Sequence, residues 1–219
     1  MDLNPAATAA IVVHMQNDIV SADGALGGFF AAEAAARGVV GVTNTLLSDI
    51  RAAGATVVDT RVAFRAGFPD LLVNSPLLAM VAEKQCLVDG SGGAQLVPEL
   101  SVDDTDFVIA HQRLGGFSNS GLELLLRNRG ITTLVFAGVA TNMAVEGTAR
   151  QASDLGYRTL IVADACSAAD EAAHTAALNS LGLLAEIVTS ADIREALNHS
   201  TVHRVNAGPT SAFENTRVP

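Results

Sequence analysis

Residues 133–149 read TLVFAGVATNMAVEGTA, and this stretch joins a continuous apolar run to a helical one. The run Thr133–Ala137 has the length and composition of a strand that is buried on both faces. A helix is predicted from about Met143 to Leu155, because Gly156 is a typical helix stop. The residues between them lie where open parallel sheets bind ligands, at the carboxyl end of a strand and the N-terminus of a helix.

The same alternation of strand and helix recurs along the chain. After the first apolar run, for example, Val39, Leu46 and Ile50 recur at helical spacing. The pattern predicts an α/β fold, a Rossmann-like doubly wound parallel sheet of about six strands with helices on both faces. The predicted strands lie at residues 9–13, 56–58, 107–109, 133–137, 159–162 and 185–188, and the last predicted helices at 174–181 and 191–197.

Two segments depart from this regular alternation. Residues 61–104 contain three prolines and the run Gly90-Ser91-Gly92-Gly93, and are too long for a simple connection. Such a segment is typical of a cover over a site or of an oligomer contact. We expect one domain over residues 1–198, and a tail at residues 199–219 that packs on a partner subunit. The expected assembly is a homodimer or a higher homo-oligomer.

The composition is that of a globular chain. Hydrophobic residues make up 49% of the 219 residues and charged residues 16%, which excludes a disordered protein. The net charge of −10 disfavours nucleic acid and anionic membranes as partners, and no apolar run is long enough to span a bilayer. Two cysteines are too few for a disulfide framework, and the first residues lack a basic secretory leader, so we expect a cytoplasmic protein.

Polar residues follow three of the predicted strands. The first strand leads into His14-Met15-Gln16-Asn17-Asp18, and the strand at Phe107 leads into His111-Gln112-Arg113. The third strand end is the stretch Gly138–Asn142 quoted above. Because the carboxyl ends of parallel strands meet at one edge of a sheet, these residues are the candidates for a site.

These stretches resemble the isochorismatase-like, or cysteine hydrolase, superfamily. The resemblance covers about residues 8–198 and is carried by four motifs in the family's order. They read IVVHMQND at 11–18, LLLRNRGI at 124–131, AGVATNMAVEGTA at 137–149, and GY with VADA at 156–157 and 162–165. The resemblance implies the fold predicted above and a cis peptide bond between Val139 and Ala140.

The catalytic residues implied by the family are absent at the matching positions. The amidases of this superfamily use an aspartate, a lysine and a cysteine, and the matching residues here are His14, His111 and Ala144. A branch that cleaves a vinyl ether lacks the cysteine but keeps the aspartate. Some members hold zinc or iron through an Asp-x-His pair, which here reads Asp59-Thr60-Arg61, so we predict no metal and no other cofactor.

The residues that remain suggest a site for attack by water or for proton transfer. Ala144 cannot be a nucleophile, whereas His14 and His111 can act as base and acid. We expect the two imidazoles to face one pocket, one neutral and one charged, and the backbone N–H groups of Ala140 and Ala144 to hold an anion. Further substrate-binding candidates are Gln16, Arg113 and Phe117.

The predicted function is hydrolysis of a small carboxylate- or amide-bearing molecule without a cysteine nucleophile. Two alternatives stay open on the same fold. One is a non-catalytic protein that binds a small molecule or serves as a scaffold. The other is a lyase or isomerase that needs only proton transfer.

Overall fold

The computed structural model describes residues 1–206, and of residues 200–206 only the helical backbone. Its strands are β1 (Thr8–Val13), β2 (Thr56–Val62), β3 (Phe107–His111), β4 (Thr133–Val139), β5 (Arg158–Ser167) and β6 (Glu186–Val188). They form one parallel sheet in the order β3-β2-β1-β4-β5-β6. The predicted doubly wound sheet of six strands is confirmed. The chain order reverses between β1 and β4, and that switch point opens the crevice in which such sheets bind ligands.

Helices cover both faces of this sheet. They are α1 (Asn17–Val20), α2 (Gly27–Ala36), α3 (Val39–Ala52), α4 (Pro76–Lys84), α5 (Leu122–Asn128), α6 (Glu146–Asp154), α7 (Glu171–Leu181) and α8 (Ser190–Asn206). The strands divide the core into two layers because successive side chains point to opposite faces. On β1, Ala10 and Val12 pack in the layer under α2, α3 and α8, whereas Ile11 and Val13 pack in the layer under α5, α6 and α7.

Several elements extend beyond the patterns that predicted them. Strand β5 runs on from the predicted Val162 to Ser167, and a π-helical turn at Thr141–Val145 precedes α6. Helices α1, α2 and α4 lie outside every predicted element. The segment 61–104 carries α4 and packs its apolar residues, Phe64 and Val81 among them, on the core beside the crevice.

The chain beyond residue 198 continues as helix up to Asn206. Helix α8, predicted to end at Leu197, runs to Asn206. Residues 207–219 lie outside the described residues, so the packing of the tail on a partner subunit stays a prediction. None of the described helices has both the length and the apolar character needed to cross a membrane.

Candidate active site

A cavity of about 880 Å³ opens at the carboxyl ends of the strands. Its walls come from several elements: α2, the segment 61–104, the loop after β3, and the turn after β4. Most of the lining side chains are apolar, and His14, Arg113, Ala140 and Ala144 also lie on the wall. The apolar part of the lining includes Ile19, Leu26, Phe30, Leu78, Val81, Leu87 and Met143.

The two candidate histidines are in direct contact. His14 directly follows β1 with a φ of 53°, and its backbone N–H donates to the Thr60 carbonyl at 3.0 Å. His111 is the last residue of β3. Their Nε2 atoms lie 3.0 Å apart, within hydrogen-bond distance, and the ring centroids are 5.0 Å apart. The structure therefore brings together two residues that are 97 positions apart in the chain.

The two rings differ in access to the cavity. His14 lines the cavity with 4% of its surface exposed, whereas His111 is fully buried and is not part of the lining. The expectation that both imidazoles face the pocket therefore needs correction. Only His14 can touch a bound molecule, and His111 supports it from behind.

Burial keeps both rings neutral at neutral pH. It lowers the pKa of His14 well below its ordinary value of 6.5, and the nearby His111 lowers it further. Burial also lowers the pKa of His111 to about 4. The Arg113 backbone opposes that second effect, although Nδ1 of His111 has no partner with hydrogen-bond geometry. The expected working form with one charged ring is therefore wrong, because desolvation disfavours the imidazolium.

A neutral pair still constrains where its protons lie. Each neutral imidazole carries a single N–H, so across the 3.0 Å contact one Nε2 donates and the other accepts. With a pKa below 6.5, His14 is a neutral imidazole with one N–H at neutral pH. In the tautomer in which Nε2 of His14 donates to His111, Nδ1 of His14 keeps the lone pair that can take up a further proton. His111 can orient that ring through the shared hydrogen bond.

The turn after β4 forms part of the cavity wall. The peptide bond between Val139 and Ala140 is cis, as the resemblance implied. Gly138 has a φ of +127°, and a Cβ there would collide with the Val13 carbonyl, so only glycine fits. The Ala140 carbonyl accepts the N–H groups of Met143 and Val145. Ala144, whose side chain offers no nucleophilic atom, lines the cavity.

Arg113 is the one charged side chain among the described residues that line the cavity. Its Nη1 donates to the Gln112 carbonyl at 3.0 Å, and no carboxylate of the described chain forms an ion pair with it. A guanidinium without a counter-ion on an apolar wall favours an anionic group in the ligand.

Two of the predicted substrate-binding residues, Gln16 and Phe117, do not line the cavity. Gln16 is fully buried; its amide donates to the carbonyls of Val62 and Ala94 and accepts the Val62 N–H. Phe117 stacks on Tyr157 with ring centroids 5.9 Å apart, in the core layer of α6. Both predictions are corrected: Gln16 holds the loop after β1, and Phe117 is partly buried and packs against the core.

Neither thiol is available as a substitute nucleophile. Cys86 and Cys166 are buried, and burial raises their pKa to about 11 and about 12. Across the described residues, no three His, Cys, Asp or Glu side chains come together as a metal ligand set. The sequence reasoning missed Phe30 of α2 and Leu78 of α4 as parts of the wall. The alanine-rich stretch that ends at Gly38 was the signal for α2.

A model of the isochorismatase domain matches residues 8–192. The chain belongs to the isochorismatase family. It is 32% identical over 189 residues to the uncharacterized family protein YecD of Escherichia coli O157:H7, covering 83% of this chain and 90% of that one. It is 35% identical over 205 residues to the ureidoacrylate amidohydrolase RutB of Pseudomonas syringae pv. syringae, covering 87% and 83%. A cysteine hydrolase from Pseudomonas syringae pv. phaseolicola superposes with a TM-score of 0.81 at 25% identity, over 91% of this chain and 96% of the other.

Proposed function

We propose that this protein hydrolyses an amide or ureido bond in a small carboxylate-bearing molecule, using water activated by His14 in place of a cysteine nucleophile. The observation that carries the proposal is the neutral His14 on the cavity wall, held by a 3.0 Å hydrogen bond to His111. The ureidoacrylate amidohydrolase among the relatives supports the bond type. In this proposal the present chain is a divergent member of the family, because Ala144 stands where the resemblance implies a cysteine nucleophile.

The chemistry follows from the groups on the wall. Water attacks the carbonyl carbon while His14 takes one of its protons, and the carbonyl oxygen becomes an oxyanion. Ala140 and Ala144 lie on the cavity wall, and in the proposed step their backbone N–H groups hold that oxyanion. The C–N bond then breaks, and the departing nitrogen takes the proton back from His14. The products are an amine or ammonia and an acid, so the atoms of substrate and water balance.

Arg113 defines the other end of the substrate. Its guanidinium pairs with the substrate carboxylate, since no carboxylate of the described chain occupies it. The apolar side chains of Phe30, Leu78 and Val81 contact the part of the molecule between the carboxylate and the scissile bond. The substrate is thus a molecule with one anionic end and an apolar body.

The test is a panel of ureidoacrylate, N-carbamoyl amino acids, simple carboxamides and esters, with release of ammonia or acid as the readout in ¹⁸O-labelled water. Hydrolysis of a carboxamide or an ester places one labelled oxygen in the carboxylic acid product, whereas the ureido and carbamoyl compounds are followed by ammonia release, because the carbon dioxide that they yield exchanges its oxygens with water. His14→Ala is expected to lose about 10²-fold or more in kcat/KM, the usual contribution of a general base. His199→Ala, on the exposed face of α8, is the matched control.

Three outcomes contradict the proposal in different ways. Unchanged activity in His14→Ala removes His14 from the reaction. Turnover without incorporation of the label favours a lyase or isomerase. Tight binding of a carboxylate without turnover favours a non-catalytic binding protein. The full burial of His111 and the absence of a nucleophile at position 144 are also consistent with that role.

A further inference from the structure

A chain of two buried polar groups and one half-buried guanidinium lies beside the turn after β4. Nδ1 of His174, on α7, is 2.8 Å from the hydroxyl oxygen of Thr141, the first residue of the π-helical turn. Nε2 of the same ring is 3.0 Å from Nη2 of Arg37, at the end of α2. His174 is 2% exposed and Thr141 is fully buried. Three elements distant in sequence thus meet at one imidazole.

Arg37 sets the direction of both hydrogen bonds. A guanidinium has only donors, so Nε2 of His174 must present its lone pair to Arg37. Burial, with Arg37 nearby, lowers the pKa of His174, which keeps the ring neutral with one proton. That proton is therefore on Nδ1 and donates to Thr141, and the Thr141 hydroxyl proton points elsewhere.

Arg37 is itself held in place. It donates to the carbonyls of Cys166 at 3.1 Å and Ala163 at 3.2 Å, both on β5. It also forms an ion pair with Glu171 of α7 at 2.6 Å. Because these three partners hold Arg37 in place, the ring of His174 that accepts from it has little freedom to turn over. The hydrogen bond to Thr141 is then a fixed support under the wall that contains Ala140.

We propose that His174 is a positioning residue, whose Nδ1–H bond to Thr141, directed by Arg37, holds the turn 140–145 in the shape that binds substrate. The effect on turnover rests on the proposed hydrolase function, whereas the ring tautomer and the shape of the turn do not. His174 acts through Thr141 and has no contact with the cavity.

The test uses two substitutions that each keep one half of the imidazole. In His174→Asn, the amide nitrogen takes the place of Nδ1 and keeps the donor to Thr141. In His174→Gln, the amide oxygen takes the place of Nε2 and keeps only the acceptor for Arg37. Thr141→Val removes the oxygen from the other side. Thr43→Val is the matched control, because Thr43 is a fully buried threonine whose hydroxyl has no hydrogen-bond partner.

The first readout is the imidazole ¹⁵N spectrum, which needs no activity. We expect the wild-type His174 ring to carry its proton on Nδ1 throughout the neutral range, and Arg37→Met to populate the other tautomer. We also expect His174→Gln and Thr141→Val to shift the backbone amide signals of Ala140 and Ala144 more than His174→Asn does. A proton on Nε2 in the wild type overturns the proposal whether or not the protein is an enzyme.

The second readout is kinetic, on the substrate found by the panel. His174→Gln and Thr141→Val are expected to lower kcat about tenfold with little change in KM, since a displaced oxyanion wall acts on the transition state. His174→Asn and Thr43→Val are expected to keep kcat within about twofold, because both leave the support under the turn intact. Equal losses in His174→Asn and His174→Gln mean that His174 is only a packing residue.

Discussion

Acid should destabilise this protein through His111, and replacing that residue should remove the effect. The unfolded chain takes up a proton on His111 below its ordinary pKa of 6.5, whereas the folded ring does so only near 4. The contribution of His111 to stability is therefore fully present above pH 6.5 and is lost as the pH falls toward 4. The proposed variant is His111→Gln, which has no charge at any pH and keeps a polar group facing His14.

The size of the effect follows from the two pKa values. The fall from 6.5 to about 4 corresponds to about 3 kcal/mol in full, at about 1.4 kcal/mol for each pKa unit. Between pH 7 and pH 5 the linkage relation gives a loss of about 2 kcal/mol in the free energy of unfolding. His14 has a lowered pKa as well, chiefly through burial, and contributes in the same direction in both proteins.

A difference between two proteins is needed because Asp59 acts in the opposite direction. This carboxyl is fully buried, with no hydrogen-bond partner on either oxygen. Burial, with Asp106 nearby, raises its pKa from 3.8 to about 7. The folded state then holds a proton that the unfolded state lacks between those values, so acid stabilises the protein through Asp59. This contribution cancels when the wild type and His111→Gln are compared.

The assay is urea unfolding followed by far-ultraviolet circular dichroism at pH 7 and pH 5, since the chain has no tryptophan. From pH 7 to pH 5, the wild type should lose about 2 kcal/mol more stability than His111→Gln. Equal pH dependence in the two proteins would falsify the argument and would mean that water reaches His111 in the folded state.

The remaining predictions concern other groups. Asp59→Asn should gain about 2 kcal/mol more stability at pH 7 than at pH 5, because the amide removes a carboxyl whose folded pKa is about 7; a pH-independent change contradicts this. Arg113→Gln should weaken the binding of a carboxylate ligand about tenfold, as measured by calorimetry, and leave the binding of an uncharged amide unaffected. An equal loss of affinity for both ligands would contradict an ion pair between Arg113 and the carboxylate. Iodoacetamide at pH 8 should leave Cys86 and Cys166 of the native protein unmodified and any hydrolysis intact, and rapid labelling of Cys166 with loss of activity would make it the nucleophile. Sedimentation should show a homodimer that weakens when the chain is cut at Val205, and a native monomer at micromolar concentration rejects this.

The alternation of strands and helices could be predicted from the sequence, because strands and helices each have their own local spacing of apolar residues. Buried parallel strands read as short apolar runs, as at Ile11–Val13, and helices as apolar residues three or four apart. Element ends were less accurate. Strand β5 continues through Asp164 to Ser167, and its pairing with β4 shifts register between Phe136 and Gly138. The polar residue in the run gave no sign of that pairing.

Part of the candidate site could also be predicted from the sequence, and part of it depended on the tertiary structure. The sequence alone determined that imidazoles follow two strands, that position 144 carries no nucleophile, and that three strand ends supply the polar groups. Only the tertiary structure decided that the rings of His14 and His111 touch. Strand β2 lies between β1 and β3, so their backbones are about 10 Å apart and the side chains must reach toward each other.

The same limit explains the two corrected residues and the polar chain beside the turn. Gln16 follows β1 as His14 does, yet its amide is used by Val62 and Ala94, which belong to a segment that no local pattern places beside it. His174 read as a helix residue, and its role became visible only with Arg37 and Thr141 around it. Residue type and spacing determine which groups reach the edge of the sheet. Strand order, register and burial, which depend on contacts between distant residues, decide which of them meet, which stay neutral and which face the cavity.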